Sequence, residues 1–436
     1  MVKRTHVRFG IVSMLFIMTA LNYADRATIA IAGPAMAKNW GLGPTTMGYL
    51  FSAFGWTYVI GQLPGGWLLD RFGARKVYGD VSLIRAAFTS LQGLVVYLGA
   101  SAAVAVLFVL RMMVGLAEAP AFPGNSRIVA AWFPTAERGT ASAIFNSAQY
   151  FATVLFAPLM GWITYSFGWQ YVFWVMGVLG FLSVVLWWKV VYSPAEHPRI
   201  NAAEFEYIKE GGALVDAGSN RAPGTPSVQW RQVKQLLGSR MLIGVYLGQY
   251  CLNAVTYFFL TWFPAYLVQA RGMSILKAGF VASAPAVCGF AGGILGGMAS
   301  DYLLRKGCSL TLSRKAPIVA GMLMSTVMIA CNYVNVEALV VAIMALSFFG
   351  KGFGALGWAV VSDTSPKEML GFAGGMFNFI GSISAVTTPI AIGYIVQRTG
   401  SFHNALVFVA ANALGTVLSY LLIVGEIKRV ELKPCS

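Results

Sequence analysis

The stretch GGWLLDRFGARK occupies residues 65–76, and a counterpart, GGMASDYLLRK, occupies 296–306. Each reads Gly-Gly-x-x-x-Asp and then a basic cluster, and the second copy is followed by Ser313-Arg314-Lys315. The two aspartates, Asp70 and Asp301, are 231 residues apart, a little over half of the 436-residue chain. A motif repeated at half-length points to two halves built alike. Glycine there lets helices approach closely, and an Asp beside Arg at a helix end can form an ionic latch that closes in one state and opens in another. Two basic loops that each happened to contain an Asp would lack this matched position and spacing.

The surroundings of the repeat identify the solvent. The chain is 57% hydrophobic and 11% charged, with a mean hydropathy of +0.68. Soluble domains carry roughly 25% charged residues, so this is an integral membrane protein. Apolar segments long enough to span a bilayer fall near 10–33, 46–69, 77–99, 101–125, 139–165 and 169–192, and again near 239–268, 276–302, 315–334, 336–364, 369–397 and 403–425. The two copies of the motif therefore lie between spans 2 and 3 and between spans 8 and 9. Between the groups of six, residues 193–238 contain the polar HPRINAAEFEYIKEGGALVDAGSNRAPGTPS and read as a linker. The expected organisation is a first bundle over 1–192, a cytoplasmic linker over 193–238 and a second bundle over 239–436.

A net charge of +15 suggests nucleic acid in a soluble protein, but in a membrane protein it is read loop by loop. Of the 31 Lys and Arg residues, outer loops hold Lys38, Arg271, Lys277 and Arg398, and spans hold Arg26, Arg85, Arg111 and Lys351. The remaining 23 are cytoplasmic if both termini are, which sets the expected orientation. No cleavable signal is expected, because the apolar run after Arg8 is too long. Cys251, Cys288, Cys308, Cys331 and Cys435 are too scattered for a disulfide framework or a metal site. His6, His197 and His403 fall at predicted helix ends or loops, so histidine is not expected to carry protons.

The motif Gly66-x-x-x-Asp70-Arg71-x-Gly73-x-Arg75-Lys76 resembles the loop signature of the major facilitator superfamily, with a degenerate second copy from Gly297 to Arg305. Within that family NYADRATIA (22–30), GQLPGGWLLDRFG (61–73) and GLAEAPAFPGNSR (115–127) resemble the anion:cation symporter branch. The stretches GNSRIVAAWFP, FNSAQYFATV, YLVQARGMSILKAGFVAS and NYVNVE resemble bacterial D-glucarate/galactarate permeases, with D-galactonate permeases next. The resemblance runs nearly end to end. It implies an all-α fold of twelve transmembrane helices, in two six-helix bundles related by a pseudo-two-fold axis that rock about a central site. It also implies a monomer in the bacterial cytoplasmic membrane, no cofactor, and protons or sodium as the coupling ion.

Charges at bilayer depth are costly and mark substrate or ion paths. Asp25 and Arg26 stand side by side, in what reads as the outer half of span 1. Adjacent helical residues project about 100° apart, so each seeks a different partner. The plainer reading is a pair of structural ion pairs. The functional one gives Arg26 a substrate carboxylate, which its planar fork suits, and makes Asp25 a protonatable site. In span 4, Arg111 and Glu118 are two turns apart on one face, a second arginine/acid couple. The resemblance implies that acids at the positions of Asp25 and Glu118 are the protonation sites. Asp80 and Arg85 in span 3 fit no part of this scheme and are expected to be peripheral.

Lys351, in FFGKGFGALGW of span 10, has too much apolar helix on both sides to snorkel comfortably. It reads as a cationic contact from the second half, so that a substrate with a carboxylate at each end could bridge the halves. Tyr23, Tyr58, Asn146, Gln149, Gln249, Asn253, Asn378 and Trp358, the last two turns below Lys351, offer contacts to sugar hydroxyls. Asp70, Arg71, Arg75, Asp301, Arg305 and Gly66 belong to the gating loops, and Asp363 reads as a gate or latch group.

No nucleophile elbow, metal constellation, phosphate loop or ATP-binding segment is recognisable, so an enzyme is not expected. The pattern favours a proton-coupled importer of C6 sugar diacids, with a small sugar-acid anion and the lipid bilayer as its partners and no role for nucleic acid. An organic-anion antiporter or an aldonate symporter is the alternative. With both acids ionised, Arg26, Arg111 and Lys351 leave little net attraction for a dianion; with both neutral the site carries +3, which ties proton uptake to substrate binding.

Overall fold

Within a bilayer each backbone N–H and C=O must be satisfied inside its own segment or by a neighbour, and the chain meets that demand with helices. A computed structural model describes residues 4–135, 137–215, 235–236, 238–366 and 369–430, with Leu63, Asp70 and Leu370 described by backbone alone. Most of the predicted linker after residue 215 lies outside the described residues.

Span 1 is Val7–Trp40, span 2 Pro44–Phe72, span 3 Ala74–Gln92, span 4 Ala100–Trp132, span 5 Arg138–Ser166 and span 6 Trp169–Val190. A short linker helix, Ala202–Glu210, follows. Span 7 is Arg240–Gln269, span 8 Ile275–Arg305, span 9 Leu310–Tyr333, span 10 Glu337–Thr364, span 11 Leu370–Thr399 and span 12 His403–Ile423. Among the described residues, ten of these are long and apolar enough to cross a membrane. Spans 2 and 3 complete the twelve; span 3 is the least apolar because it carries Arg75, Lys76, Asp80 and Arg85. No strand occurs among the described residues. Exposed large residues such as Ile60, Val109, Leu182 and Leu422 supply the lipid-facing surface.

Among the described residues, spans 4, 7 and 10 are irregular within their length, and spans 9 and 12 close on a 3₁₀ stretch, Thr326–Tyr333, and a π-turn, Ser419–Ile423. Span 4 breaks at Ala119-Pro120, between helices Ala100–Glu118 and Ala121–Trp132. Pro120 has no N–H and interrupts the hydrogen-bond ladder. In span 7 the turn Phe258–Trp262 is wound as a π-helix just before Pro264. In span 10 residues Phe353–Leu356 tighten into a 3₁₀ turn.

By contact the chain forms two units, Met1–Ala32 with Ala53–Thr225, and Gly33–Ser52 with Pro226–Ser436. The first unit has a core in which Ile11, Leu15 and Met18 of span 1 pack with Tyr78, Trp132 and Trp187. Its loop signature depends on Gly73, whose φ of 82° closes the one-residue turn between spans 2 and 3. A side chain there would be strained in the left-handed region. The second unit includes the hairpin 33–52, held by bare glycines. A Cβ on Gly48 would lie 2.6 Å from the Pro389 carbonyl oxygen, and one on Gly393 would lie 2.7 Å from that of Pro44. Beside this crossing the hydroxyls of Tyr49 and Tyr394 are 3.0 Å apart, and Phe51 meets the Trp262 ring edge-on at 5.0 Å.

The linker helix is clasped to the start of span 1. Fully buried Glu204 accepts from Thr5 Oγ1 at 2.6 Å, Val7 N at 2.8 Å, Arg8 N at 3.3 Å and Arg8 Nη1 at 3.0 Å. It thus caps span 1 from another element, placing an anion on otherwise unsatisfied N–H groups at the positive end of the helix dipole. Arg8 Nε also donates to Glu137 at 3.0 Å, and Glu137 accepts from Tyr207 at 2.6 Å. Burial alone would raise the Glu204 carboxyl, but the bonds from Thr5, Val7 and Arg8 outweigh it and hold it below its ordinary value. For Glu137 too, the bonds from Tyr207 and Arg8 outweigh burial and lower it.

Both shifts are depressions, so the clasp stabilises fully above the ordinary carboxylate range and fades as pH falls through the lowered values. Glu204→Ala is expected to cost about 2 kcal/mol near neutral pH. In thermal unfolding of the purified protein, the gap between wild type and variant should narrow below about pH 4; a gap independent of pH would show that the carboxylate charge is not what holds the clasp.

Candidate functional site

Span 1 is a 34-residue helix, about 51 Å long at 1.5 Å per residue. Asp25 and Arg26 sit just past its midpoint. They turn to different spans, as the 100° step requires.

Arg26 reaches span 4. Its Nε donates to Glu118 Oε1 at 2.7 Å, and a second nitrogen closes on the same oxygen. Its guanidinium lies 4.6 Å from the Tyr23 ring centroid, 4.7 Å from Tyr58 and 4.8 Å from Phe54, with the last two rings stacked on each other. Such aromatic faces favour a desolvated cation. The approach depends on Gly115, where a Cβ would run into the Phe54 carbonyl oxygen. Glu118 is the last residue before the break in span 4 and is 2% exposed, and its Oε2 has no hydrogen-bond partner among the described residues. The arginine/acid couple anticipated within span 4 is thus drawn between spans: Glu118 pairs with Arg26, not Arg111.

Asp25 turns to span 3. Its Oδ2 forms an ion pair with Arg85 and accepts from Thr89 at 3.3 Å, with Asp25 and Arg85 each 1% exposed. The expectation that Arg85 is peripheral is corrected here. An arginine buried at this depth needs a counter-ion, and Asp25 supplies it across the span 1–span 3 contact. Asp80 is exposed near the start of the same helix. Arg111, 2% exposed, donates to the backbone carbonyls of Asp25 at 3.0 Å and Arg26 at 3.4 Å and lies 3.5 Å from Thr28 Oγ1. Among the described residues it forms no ion pair and its Nε has no hydrogen-bond partner.

Toward the start of span 1, Asn22 donates to the Tyr78 hydroxyl at 3.4 Å, and Asn125 donates to Thr19 at 2.9 Å. These two buried amides were not among the expected site residues. Asn146 and Gln149, partly buried, donate to the carbonyls of Ser142 at 2.8 Å and Asn146 at 3.1 Å.

In the second unit Lys351 is 8% exposed, with Nζ 5.1 Å from the Phe348 ring centroid. Its glycine neighbours explain the GKG sequence. Gly350 abuts the Gly321 carbonyl of span 9, and Gly352 abuts Gly289 and Gly293 of span 8. Span 10 is thereby pressed against two helices, and Lys351 projects between those directions. Gln249 donates to Asn253 at 3.3 Å, and this pair packs on bare Gly381. Asn378 is partly buried. Trp358 departs from the expected register: the intervening 3₁₀ turn advances about 120° per residue instead of 100°, and its ring is 47% exposed, edge-on to Phe377.

In the loop motifs, Arg71 is exposed against the Trp67 and Phe72 rings, while Arg75 lies 4.0 Å from the Tyr192 centroid. The Asp70 side chain lies outside the described residues. No side chain would crowd Gly66, and Asp301 and Arg305 are exposed. The ion pair near the second copy joins Arg314 to Asp363 at 2.8 Å, with Arg314 also donating to Ser300 at 3.0 Å.

Residues 15–312 match the model of the Major Facilitator Superfamily. The chain belongs to that superfamily. It is a transporter, not an enzyme, and its superfamily relatives are named accordingly. It is 63% identical over 434 residues to a "Probable galactarate/D-glucarate transporter" of Escherichia coli, covering 99% of this chain and 96% of that one. It is 62% identical to a protein of the same name from Bacillus subtilis, covering 99% and 95%. A D-galactonate transporter of Escherichia coli is 41% identical, with 97% of each chain covered. Among solved structures, a D-xylose-proton symporter superposes with a TM-score of 0.73 at 14% identity, covering 96% of this chain and 98% of that one. At that identity the likeness is one of fold.

The pairing of Arg26 with Glu118 is open to a double-mutant cycle. Arg26→Leu leaves a buried carboxylate without its ion-pair partner and is expected to cost about 3–5 kcal/mol, most of it recovered in Arg26→Leu/Glu118→Leu. Thermal unfolding of the detergent-purified protein reads this, and equal losses in single and double variants would contradict the pairing.

Proposed function

We propose that this chain imports C6 sugar diacids, D-glucarate and galactarate, with protons, by alternating access between two six-helix bundles. The bundles are residues 1–192 and 239–436, joined by the cytoplasmic linker 193–238. The chain works as a monomer in the bacterial cytoplasmic membrane with both termini inside, an orientation supported by the distribution of Lys and Arg. The observation that carries the reading is the buried Arg26–Glu118 pair, in a chain strongly similar to proteins named as sugar-diacid transporters.

Coupling follows from competition for one guanidinium. A substrate carboxylate arriving at Arg26 displaces Glu118, which then loses its counter-ion in an apolar site and takes up a proton. Protonation of Glu118 in turn releases Arg26 for the substrate; each event favours the other, as linkage requires. Glu118 and Asp25 are the acids available for protons, and Arg26 and Arg111 the cations for one carboxylate. Lys351 supplies the contact for the second carboxylate, which supports dicarboxylates over aldonates. Tyr23, Tyr58, Asn146, Gln149, Gln249, Asn253, Asn378 and Trp358 complete the proposed set of hydroxyl contacts. The Arg314–Asp363 pair, with Asp70, Arg71, Arg75, Asp301 and Arg305, belongs to the cytoplasmic gate.

Labelled D-glucarate should accumulate in proteoliposomes only under an inward proton gradient. Lys351→Gln should lose about 2 kcal/mol, roughly thirtyfold in kcat/KM, for D-glucarate while retaining transport of an aldonate. Exchange without gradient-driven accumulation would indicate an antiporter, and normal D-glucarate transport by the variant would remove Lys351 from the site.

A further inference from the structure

We propose that Arg85 is a positioning residue: a fixed counter-ion for Asp25 that leaves Arg111 without a competing carboxylate, so that Arg111 is held ready for the substrate anion. The inference rests on the reading that Arg111 receives a substrate carboxylate.

Three guanidiniums and two carboxylates are buried together in the first unit, and the geometry distributes them unevenly. Asp25 is faced by Arg85 and Thr89 from span 3 and by Arg111 and Glu118 from span 4. Of the three arginines, only Arg85 takes its carboxylate. Glu118 takes Arg26. Arg111 is left with two backbone carbonyls and a hydroxyl. Its Nη1 already lies 3.0 Å from the backbone oxygen of Asp25, so the Asp25 carboxylate is its nearest alternative partner should Arg85 be removed.

Arg85 is suited to a fixed role and poorly placed for direct contact. It is 1% exposed, its Nη1 also reaches the Leu21 carbonyl at 3.4 Å, and Tyr78 lies two turns earlier on the same face of its helix. On the span 6 side it meets Gly180, where a Cβ would stand 3.8 Å from Nη2. The guanidinium thus lies between spans 3 and 6, on packed protein rather than beside the Tyr23, Phe54 and Tyr58 rings that surround Arg26. Arg26 is shared with Glu118, Arg85 is committed to Asp25, and Arg111 carries the excess positive charge.

The test is the Kd for D-glucarate of the purified full-length protein, by isothermal titration near neutral pH. Arg85→Leu is expected to weaken binding roughly tenfold, a typical coupling between two charged sites. Asp25→Asn/Arg85→Leu, which removes the competing carboxylate as well, should restore a Kd near that of wild type, a rescue that a merely structural arginine would not show. An unchanged Kd in Arg85→Leu, or a loss that the double variant does not restore, overturns the role of Arg85. If Arg85→Leu does not fold, the double variant alone decides: a near-wild-type Kd upholds the role and a tenfold weaker one overturns it. Failure of the wild type to bind any sugar acid would instead overturn the functional reading itself.

Discussion

The ion pair between Arg26 and Glu118 constrains the rest of the first unit. Two charges buried at the middle of a 34-residue helix and beside a helix break are tolerable only if each satisfies the other. That requirement fixes which faces of spans 1 and 4 meet. It also fixes how closely span 2 must pass, since Gly115 has to be bare for Phe54 to bring its ring against Arg26. The adjacent Asp25 then cannot share the same partner, because successive residues diverge by about 100°. It recruits Arg85 from span 3. One dipeptide thus ties span 1 to two neighbours and leaves Arg111, of the three arginines around it, without an ion pair among the described residues. An arrangement that is costly to bury and incompletely satisfied, with Asp25 Oδ1 and Glu118 Oε2 lacking hydrogen-bond partners among the described residues, is poorly suited to structure alone and well suited to taking up a proton together with an anion.

The second unit reaches a similar end by different means. Its buried cation, Lys351, is positioned by glycines on both sides that let span 10 lie directly on spans 8 and 9. The 3₁₀ turn that follows re-registers the helix below it. Glycine also governs the hairpin 33–52, where Gly48 and Gly393 cross backbone to backbone. Close helix contact through small residues replaces the hydrophobic driving force that lipid cannot provide.

Much of this was legible in the sequence. The repeat of Gly-Gly-x-x-x-Asp, the spacing of apolar runs and the Lys/Arg distribution lead to twelve spans in two groups. The divergence of Asp25 from Arg26 follows from helix geometry. Arg85 was not read correctly because it belongs to no repeated motif, and its nearest charge in sequence, Asp80, lies off its face. The signal that would have found it is energetic: an arginine well inside a span must meet an acid, and Asp25 lacked a partner. The register of Trp358 relative to Lys351 was not legible, because a 3₁₀ turn leaves no mark in a glycine-rich stretch. Glu204 escaped notice because its partners, Thr5 and Arg8, are almost two hundred residues away, and only the folded chain brings a linker carboxylate to the start of span 1.

The claim on which the account turns is that substrate takes Arg26 from Glu118 and leaves that carboxyl protonated. Infrared difference spectroscopy of the purified protein, with and without D-glucarate, reads this at the bond concerned. The account predicts that D-glucarate produces a new carboxylic-acid C=O band that is absent in Glu118→Gln. No such band on substrate binding, or a band that persists in the variant, would contradict it.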